Sequence, residues 1–317
     1  MHPPNVGNAL YQLVTGARHA LFAQGELAQL TYGAFDVVAG NIKQSDDPEI
    51  EISYPIGFRP DKTSILTTRV FTKEQILNKY QFLAFVQMPL NGLGQLVTIT
   101  EALLGDIVRT VIVRYPQKLG AKRAVQLQVI LEAKSLEEVH LRATDSLLNE
   151  LSYKSPAEYS EAFNGLLSIN LLECSAYHAY VELKASRDIH VHNRGIVNET
   201  YLRKSGSHSR AHIGQWLPVT IPYFLECYEA CLQLTEWLEQ VLDEHWHSSE
   251  REAANSDSSQ ASTTLESSLA GGEMSTLSTE ESHPEVPAKK KRRSRAKANN
   301  IEKVSALRPI EQNKTRS

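Results

Sequence analysis

Between residues 93 and 115 the side chains Leu96, Ile99, Leu103, Ile107, Val111 and Ile112 return every three or four positions. That spacing puts them on one stripe of an α-helix and commits the chain to a helical core. The stripe stops at Tyr115-Pro116, because proline disfavours helical dihedrals in the residue before it. Leu225, Tyr228, Leu232, Thr235, Leu238 and Leu242 repeat the pattern. Two shorter helices carry Tyr159, Phe163, Leu166 and Leu167, then Tyr177, Tyr180, Val181 and Leu183. Thr72 with Gln75, Ser135 with Glu138, and Ser155 with Glu158 each fit the reciprocal capping box that marks a helix start, and Pro156 adds a first-turn proline. The expectation is a mainly α fold, a bundle whose neighbours run antiparallel across short breaks.

The N-terminal third departs from that pattern. Leu10, Leu13, Ala17 and Leu21 predict a further helix, whereas Ile50, Ile52 and Tyr54 alternate and Ile65 to Phe71 is rich in β-formers. With Gly57, Pro60 and Asp61 as turn chemistry between them, these runs predict a small β-hairpin.

Composition changes sharply near residue 247, leaving a body long enough for one substantial core. From Ser248 to Pro287 Ser, Thr, Glu, Ala and Gly dominate without an aromatic residue, so a disordered tail is expected over 247–317. Residues 250 to 285 hold 8 acidic and 1 basic side chain, and 288 to 317 hold 2 acidic and 11 basic. The tail is therefore −7 and then +9, and subtracting both from the overall −4 leaves −6 for the rest. The basic run Lys289, Lys290, Lys291, Arg292, Arg293 and Arg295 can supply the phosphate attraction that the body lacks, or act as a solvated tail or an import-like signal.

Cys174, Cys227 and Cys231 lack paired Cys-x-x-Cys spacing and read as buried thiols in a reducing compartment, with no metal implied. No signal pattern and no apolar run of about 18 residues is present, so a cytoplasmic protein without a membrane partner is expected. A Gly-rich phosphate loop, a His-Glu-x-x-His helix and a Gly-x-Ser-x-Gly elbow are all absent, which removes the recognisable forms of NTPase, zinc hydrolase and serine hydrolase.

One stretch carries chemistry. In 187–202, RDIHVHNRGIVNETYL, an arginine and a histidine stand five positions apart near a helix end. Guanidinium forks onto phosphate oxygens, and imidazole exchanges protons near neutral pH. Asp188 follows the arginine, Asn193 follows His192, and Gly195 stands where a helix C-terminus favours positive φ. Arg187, Asp188 and His192 match, position by position, the ribonuclease motif of the HEPN superfamily, which this segment resembles. Tyr115 to Gly120 and Leu151 to Tyr159 also look like segments of bacterial HEPN proteins, so the resemblance covers roughly residues 93 to 245. Where Asn is the commoner neighbour of the arginine, this chain has Asp188.

The resemblance implies a HEPN-like bundle over 93–246; the helical and hairpin extension over 1–92, read from its own residues and outside the resemblance, is expected to pack on it. The resemblance further implies a homodimer and a metal-independent, cofactor-free endoribonuclease acting on an RNA substrate. The candidate catalytic residues are Arg187, His192, Asp188 and Asn193. A toxin or antiphage effector restrained by an inhibitory protein fits that class; the alternative is a non-catalytic dimerisation or interaction module that binds nucleic acid or protein. On an ideal helix residues five apart point about 140° away from each other. Either the helix ends between Arg187 and His192, or the site is composite across two protomers. His190, adjacent and ionisable, lies outside the motif, and Ser207 to His212 reads as a polar surface loop.

Overall fold

The computed structural model describes residues 5–120, 127–252 and 255. The expectations for the basic run and for most of the tail lie outside them. The described elements are α1 (Val6–Gln44), β1 (Glu49–Phe58), β2 (Ser64–Thr72), α2 (Lys73–Phe82), α3 (Met88–Arg114), α4 (Leu127–Glu132), α5 (Leu136–Ser152), α6 (Pro156–Leu167), α7 (Ser175–His192), α8 (Glu199–Ser205) and α9 (Ile221–His245). Most of the described chain is thus helical, with one small antiparallel sheet.

α3 is the central helix. Its stripe is broader than the sequence period implies, because Leu93, Val97, Leu104 and Val108 are buried beside Leu96, Leu103, Ile107, Val111 and Ile112. Neighbours on several sides, α1, α5, α6, α7 and α9, remove most of its circumference from water. Leu10, Val14 and Leu21 of α1 join the same core. The boundary drawn at residue 92 falls inside α3, so the N-terminal helix and the bundle share one apolar interior.

On α9 the buried face includes Phe224, Cys227, Cys231, Leu234, Thr235, Leu238 and Leu242, with Tyr228 and Leu232 packed against it, while Leu225 is 46% exposed. The expected stripe therefore holds except at Leu225, and the two thiols, expected to be buried, widen it as small apolar side chains. All three cysteines are free and buried. Burial raises the Cys231 thiol to about 11, which keeps it protonated.

Two of the three capping boxes are complete, at Thr72 with Gln75 and at Ser155 with Glu158. At Ser135 the box is half formed: its hydroxyl accepts from Glu138 N–H, but the Glu138 carboxylate accepts from Lys134 N–H at 2.8 Å. The hairpin turn uses Asp61, whose carboxylate accepts from the backbone N–H and hydroxyl of Thr63 at 2.9 and 2.7 Å. Gly57, expected in the turn, lies in β1 beside a register shift that leaves Ile56 without a partner.

The folded body continues past residue 247. Ser248 is 2% exposed, its hydroxyl donates to Asn8 Oδ1 at 3.0 Å, and Arg251 bridges Glu239 and Asp243. Arg18 of α1 takes the other side of Glu239. A Cβ on Gly7 would fall 2.1 Å from the His247 carbonyl oxygen, so glycine is required where the returning chain crosses α1. Composition misplaced this boundary because a short polar segment can be ordered by specific hydrogen bonds and ion pairs.

Glu182 of α7 is 5% exposed and organises the end of the body that carries the motif. Its Oε1 accepts from the Ser186 hydroxyl at 2.6 Å, the Tyr201 hydroxyl at 2.7 Å and Arg210 Nε at 3.1 Å; its Oε2 accepts from the Tyr223 hydroxyl at 2.7 Å. Arg210 also donates to Ser186 Oγ and the Pro218 carbonyl, and its guanidinium carbon sits 3.3 Å from the centroid of the Tyr223 ring. Beside this network Ala185, Ile189, Val197, Tyr201 and Leu217 form a second apolar cluster. Removing one member of a buried, hydrogen-bonded charge pair strands the other. Glu182→Ala is therefore expected to destabilise by about 3–5 kcal/mol, and Tyr201→Phe by about 1–3 kcal/mol, both read from urea unfolding. A Glu182→Ala variant as stable as the wild type would overturn this account.

Candidate functional site

α7 runs without a break to His192. Of the two geometries open from sequence, a helix ending between Arg187 and His192 is excluded. The helix stops because Asn193 N–H and Gly195 N–H both donate to the Ile189 carbonyl, at 2.8 and 2.9 Å, after which Arg194 and Gly195 take φ of 56° and 76°. Gly195 meets its expected role and has a second reason for being glycine. An added Cβ would lie 2.8 Å from both His190 Cε1 and Trp216 Nε1.

Arg187 points toward α3. One terminal nitrogen lies 2.7 Å from Glu101, the other lies 3.4 Å from Asp188, and the side chain is 24% exposed. Lys184 holds the other oxygen of Glu101 at 2.7 Å, and Lys204 of α8 holds Asp188 at 2.9 Å. Three cations thus surround two carboxylates, a net positive cluster on a body whose overall charge is negative. Arg187 does not pair with Glu182, five positions earlier on its own helix; Glu182 belongs to Arg210.

His192 is exposed and makes no side-chain hydrogen bond or ion pair among the described residues. By helix geometry it faces about 140° away from Arg187. Within one chain, therefore, Arg187 and Asp188 are brought together and His192 is not. Asn193 is a cap: its side-chain amide donates to the Ile196 carbonyl at 2.6 Å. Sequence reasoning missed Glu101, Lys184 and Lys204. Lys184 stands three positions before Arg187 on the same helical face, which was a usable signal; Glu101 and Lys204 come from other helices and gave none.

The loop after α8 is anchored instead of free, because Arg210 reaches Glu182 and His208 stacks on His178 at 5.6 Å. His190 is half-buried, edge-on to Trp216 at 6.1 Å, with Nε2 enclosed and unpartnered. It is part of the packing that holds the loop. No group of three or more His, Cys, Asp or Glu among the described residues could hold a metal ion. No helix of the described residues is long and apolar enough to cross a membrane. Comparison of the chain with protein-family models, with curated proteins and with solved structures finds no match.

Burial, assisted by the Arg210 charge and opposed by a backbone hydrogen bond at Leu217, lowers the His190 pKa. The folded chain therefore takes up this proton less readily than the unfolded chain, whose imidazole titrates near about 6.5. The resulting penalty appears as pH falls below about 6.5 and is absent above it. His190→Asn is expected to remove part of the loss of stability between about pH 7 and pH 5. Parallel thermal melts of wild type and variant check it, and an unchanged acid slope would refute the assignment.

Proposed function

We propose that this chain is a metal-independent endoribonuclease of the HEPN type, a homodimer in which His192 of one protomer works beside Arg187 of the other. The observation that carries the reading is the division of labour at the end of α7. His192 is exposed and uncommitted, while Arg187 sits in a cluster of net positive charge. Because the two face apart within one helix, a shared groove across a two-fold axis is the arrangement that lets both meet one phosphodiester.

In that groove the ribose 2′-hydroxyl attacks the adjacent phosphorus and loses its proton to one imidazole. The bond to the 5′-oxygen breaks, and that oxygen takes a proton from the other imidazole, leaving a 2′,3′-cyclic phosphate and a 5′-hydroxyl. Arg187 stabilises the non-bridging oxygens. To do so its guanidinium exchanges a carboxylate for phosphate, and Lys184 and Lys204 keep Glu101 and Asp188 paired while it does. Asp188 orients the arginine, and Asn193 closes the helix that presents His192. A restrained toxin or antiphage effector is the biological setting that fits such an activity. The basic run at 289–295 would add counterion release to RNA association.

A second reading, a non-catalytic interaction module, is favoured by one fact: both terminal nitrogens of Arg187 already face carboxylates. Purified protein in EDTA, freed of co-purifying partners, is expected to cleave single-stranded or loop RNA with the end groups above. His192→Ala and Arg187→Ala should each lower the rate by ~10²-fold or more, with the fold retained. The exposed His212 outside the motif should tolerate alanine. Cleavage surviving His192→Ala rejects the site, and intact RNA under all these conditions leaves the interaction module.

A further inference from the structure

The distal half of α1 carries a face that none of the described residues covers. Leu27 is 53% exposed, Leu30 72% and Val37 64%, and Ala23, Ala34 and Asn41 are exposed with them. These six positions follow one another at spacings of four, three, four, three and four, the seam of a heptad repeat. The opposite side of the helix is the packed one: Tyr32 stacks on Phe85 at 5.7 Å, and Phe35 meets the same ring edge-on at 4.7 Å. Beside the seam Gly33 and Gly40 weaken the helix interior, yet a Cβ on Gly33 or Gly40 would touch nothing within 4 Å. Glycine there is not required by any contact among the described residues.

We propose that this face of α1 is a self-association surface that pairs antiparallel with α1 of a second copy of the chain. The occupant follows from the order of side-chain sizes along the seam. With a two-fold axis level with residue 32, Leu30 meets Ala34 of the partner subunit, Leu27 meets Val37 of the partner subunit, and Ala23 meets Asn41 of the partner subunit. Each large side chain thus lies opposite a smaller one, and each position of one heptad class lies opposite the other class, as antiparallel seams require. Parallel pairing instead sets Leu on Leu and leaves a gap where Ala34 meets its own copy. Antiparallel helices also oppose their macrodipoles favourably. Charge does not stand in the way: among the flanking residues Gln24, Glu26, Thr31, Gly33, Val38 and Gly40 there is a single charge, and the two glycines let the backbones approach.

The strip from Ala23 to Asn41 is about 27 Å long and about 10 Å wide. At roughly 300 Å² the strip is on the order of the largest apolar patch that a typical monomer exposes, which is often functional. Doubled across a two-fold it stays below a standard interface, so a weak, concentration-dependent pair is expected. The inference does not rest on the ribonuclease reading, since it uses no residue of α7.

Mixed disulfide trapping on the full chain tests it. Subunits carrying Leu30→Cys, mixed with subunits carrying Ala34→Cys under a mild copper oxidant, are expected to link to each other, while neither variant links to itself. The native cysteines are buried and do not compete. In sedimentation velocity at tens of micromolar, Leu30→Glu with Val37→Glu is expected to lower the mass of the wild-type assembly by half with an unchanged circular dichroism spectrum. Self-linking of either variant would show a parallel pair and overturn the proposal. So would absence of mixed linking, or an unchanged mass in the double variant, including the case in which another protein covers the seam. An inactive nuclease leaves these readings untouched, and a failed seam leaves the cleavage test standing.

Discussion

The buried carboxylate of Glu182 is the constraint around which the functional end of this protein is arranged. A charge at 5% exposure is tolerable only if every lone pair is engaged, and here two tyrosines, a serine and an arginine engage it. Those four partners come from α7, α8, the following loop and α9. One ionised group therefore fixes how four segments meet, and with them the place where α7 ends and the direction in which Asp188 and Lys204 approach Arg187. Apolar packing alone gives α8 little purchase, because the cluster around it has five buried residues.

Much of the helical framework was legible because its cause is local. Capping boxes at Thr72 and Ser155 involve residues three apart, and the α3 stripe repeats within one helix, so both could be read without knowing the fold. On α9 only Leu225 departs from the expected stripe, because its neighbours Phe224 and Cys227 take the core contacts at that end of the helix. The misplaced boundary near residue 247 came from judging order by composition, when Ser248 is held by Asn8, 240 positions away, and Arg251 by Asp243 and Glu239, 8 and 12 positions back on α9. Arg210 shows the same limit. In a polar stretch of serines and histidines nothing announces that one arginine reaches inward, since its partner is 28 positions earlier in the chain.

At the motif, the helix stop and the positive φ of Gly195 were readable from residue types, whereas the occupation of Arg187 was not. Its partner Glu101 lies 86 positions upstream, and the choice between Glu101 and Glu182 depends on which face of α7 meets α3. An arginine already holding two carboxylates is preordered and also restrained. Its readiness to leave them is set by how well Lys184 and Lys204 compensate, so the cluster works as a balance of five charges more than as a single side chain.

The crossing of α1 by the returning chain has a topological meaning. Asn5 donates to the His247 carbonyl at 3.3 Å, and Gly7 lies beneath that same peptide, so the start of α1 and the segment that follows α9 are neighbours in space. Order of the segments along the chain is then separable from their order in the fold. A body closed by a short peptide between these two ends, and opened instead at the exposed hairpin turn around Asp61, would retain every buried contact described above while reversing which helix emerges first during synthesis.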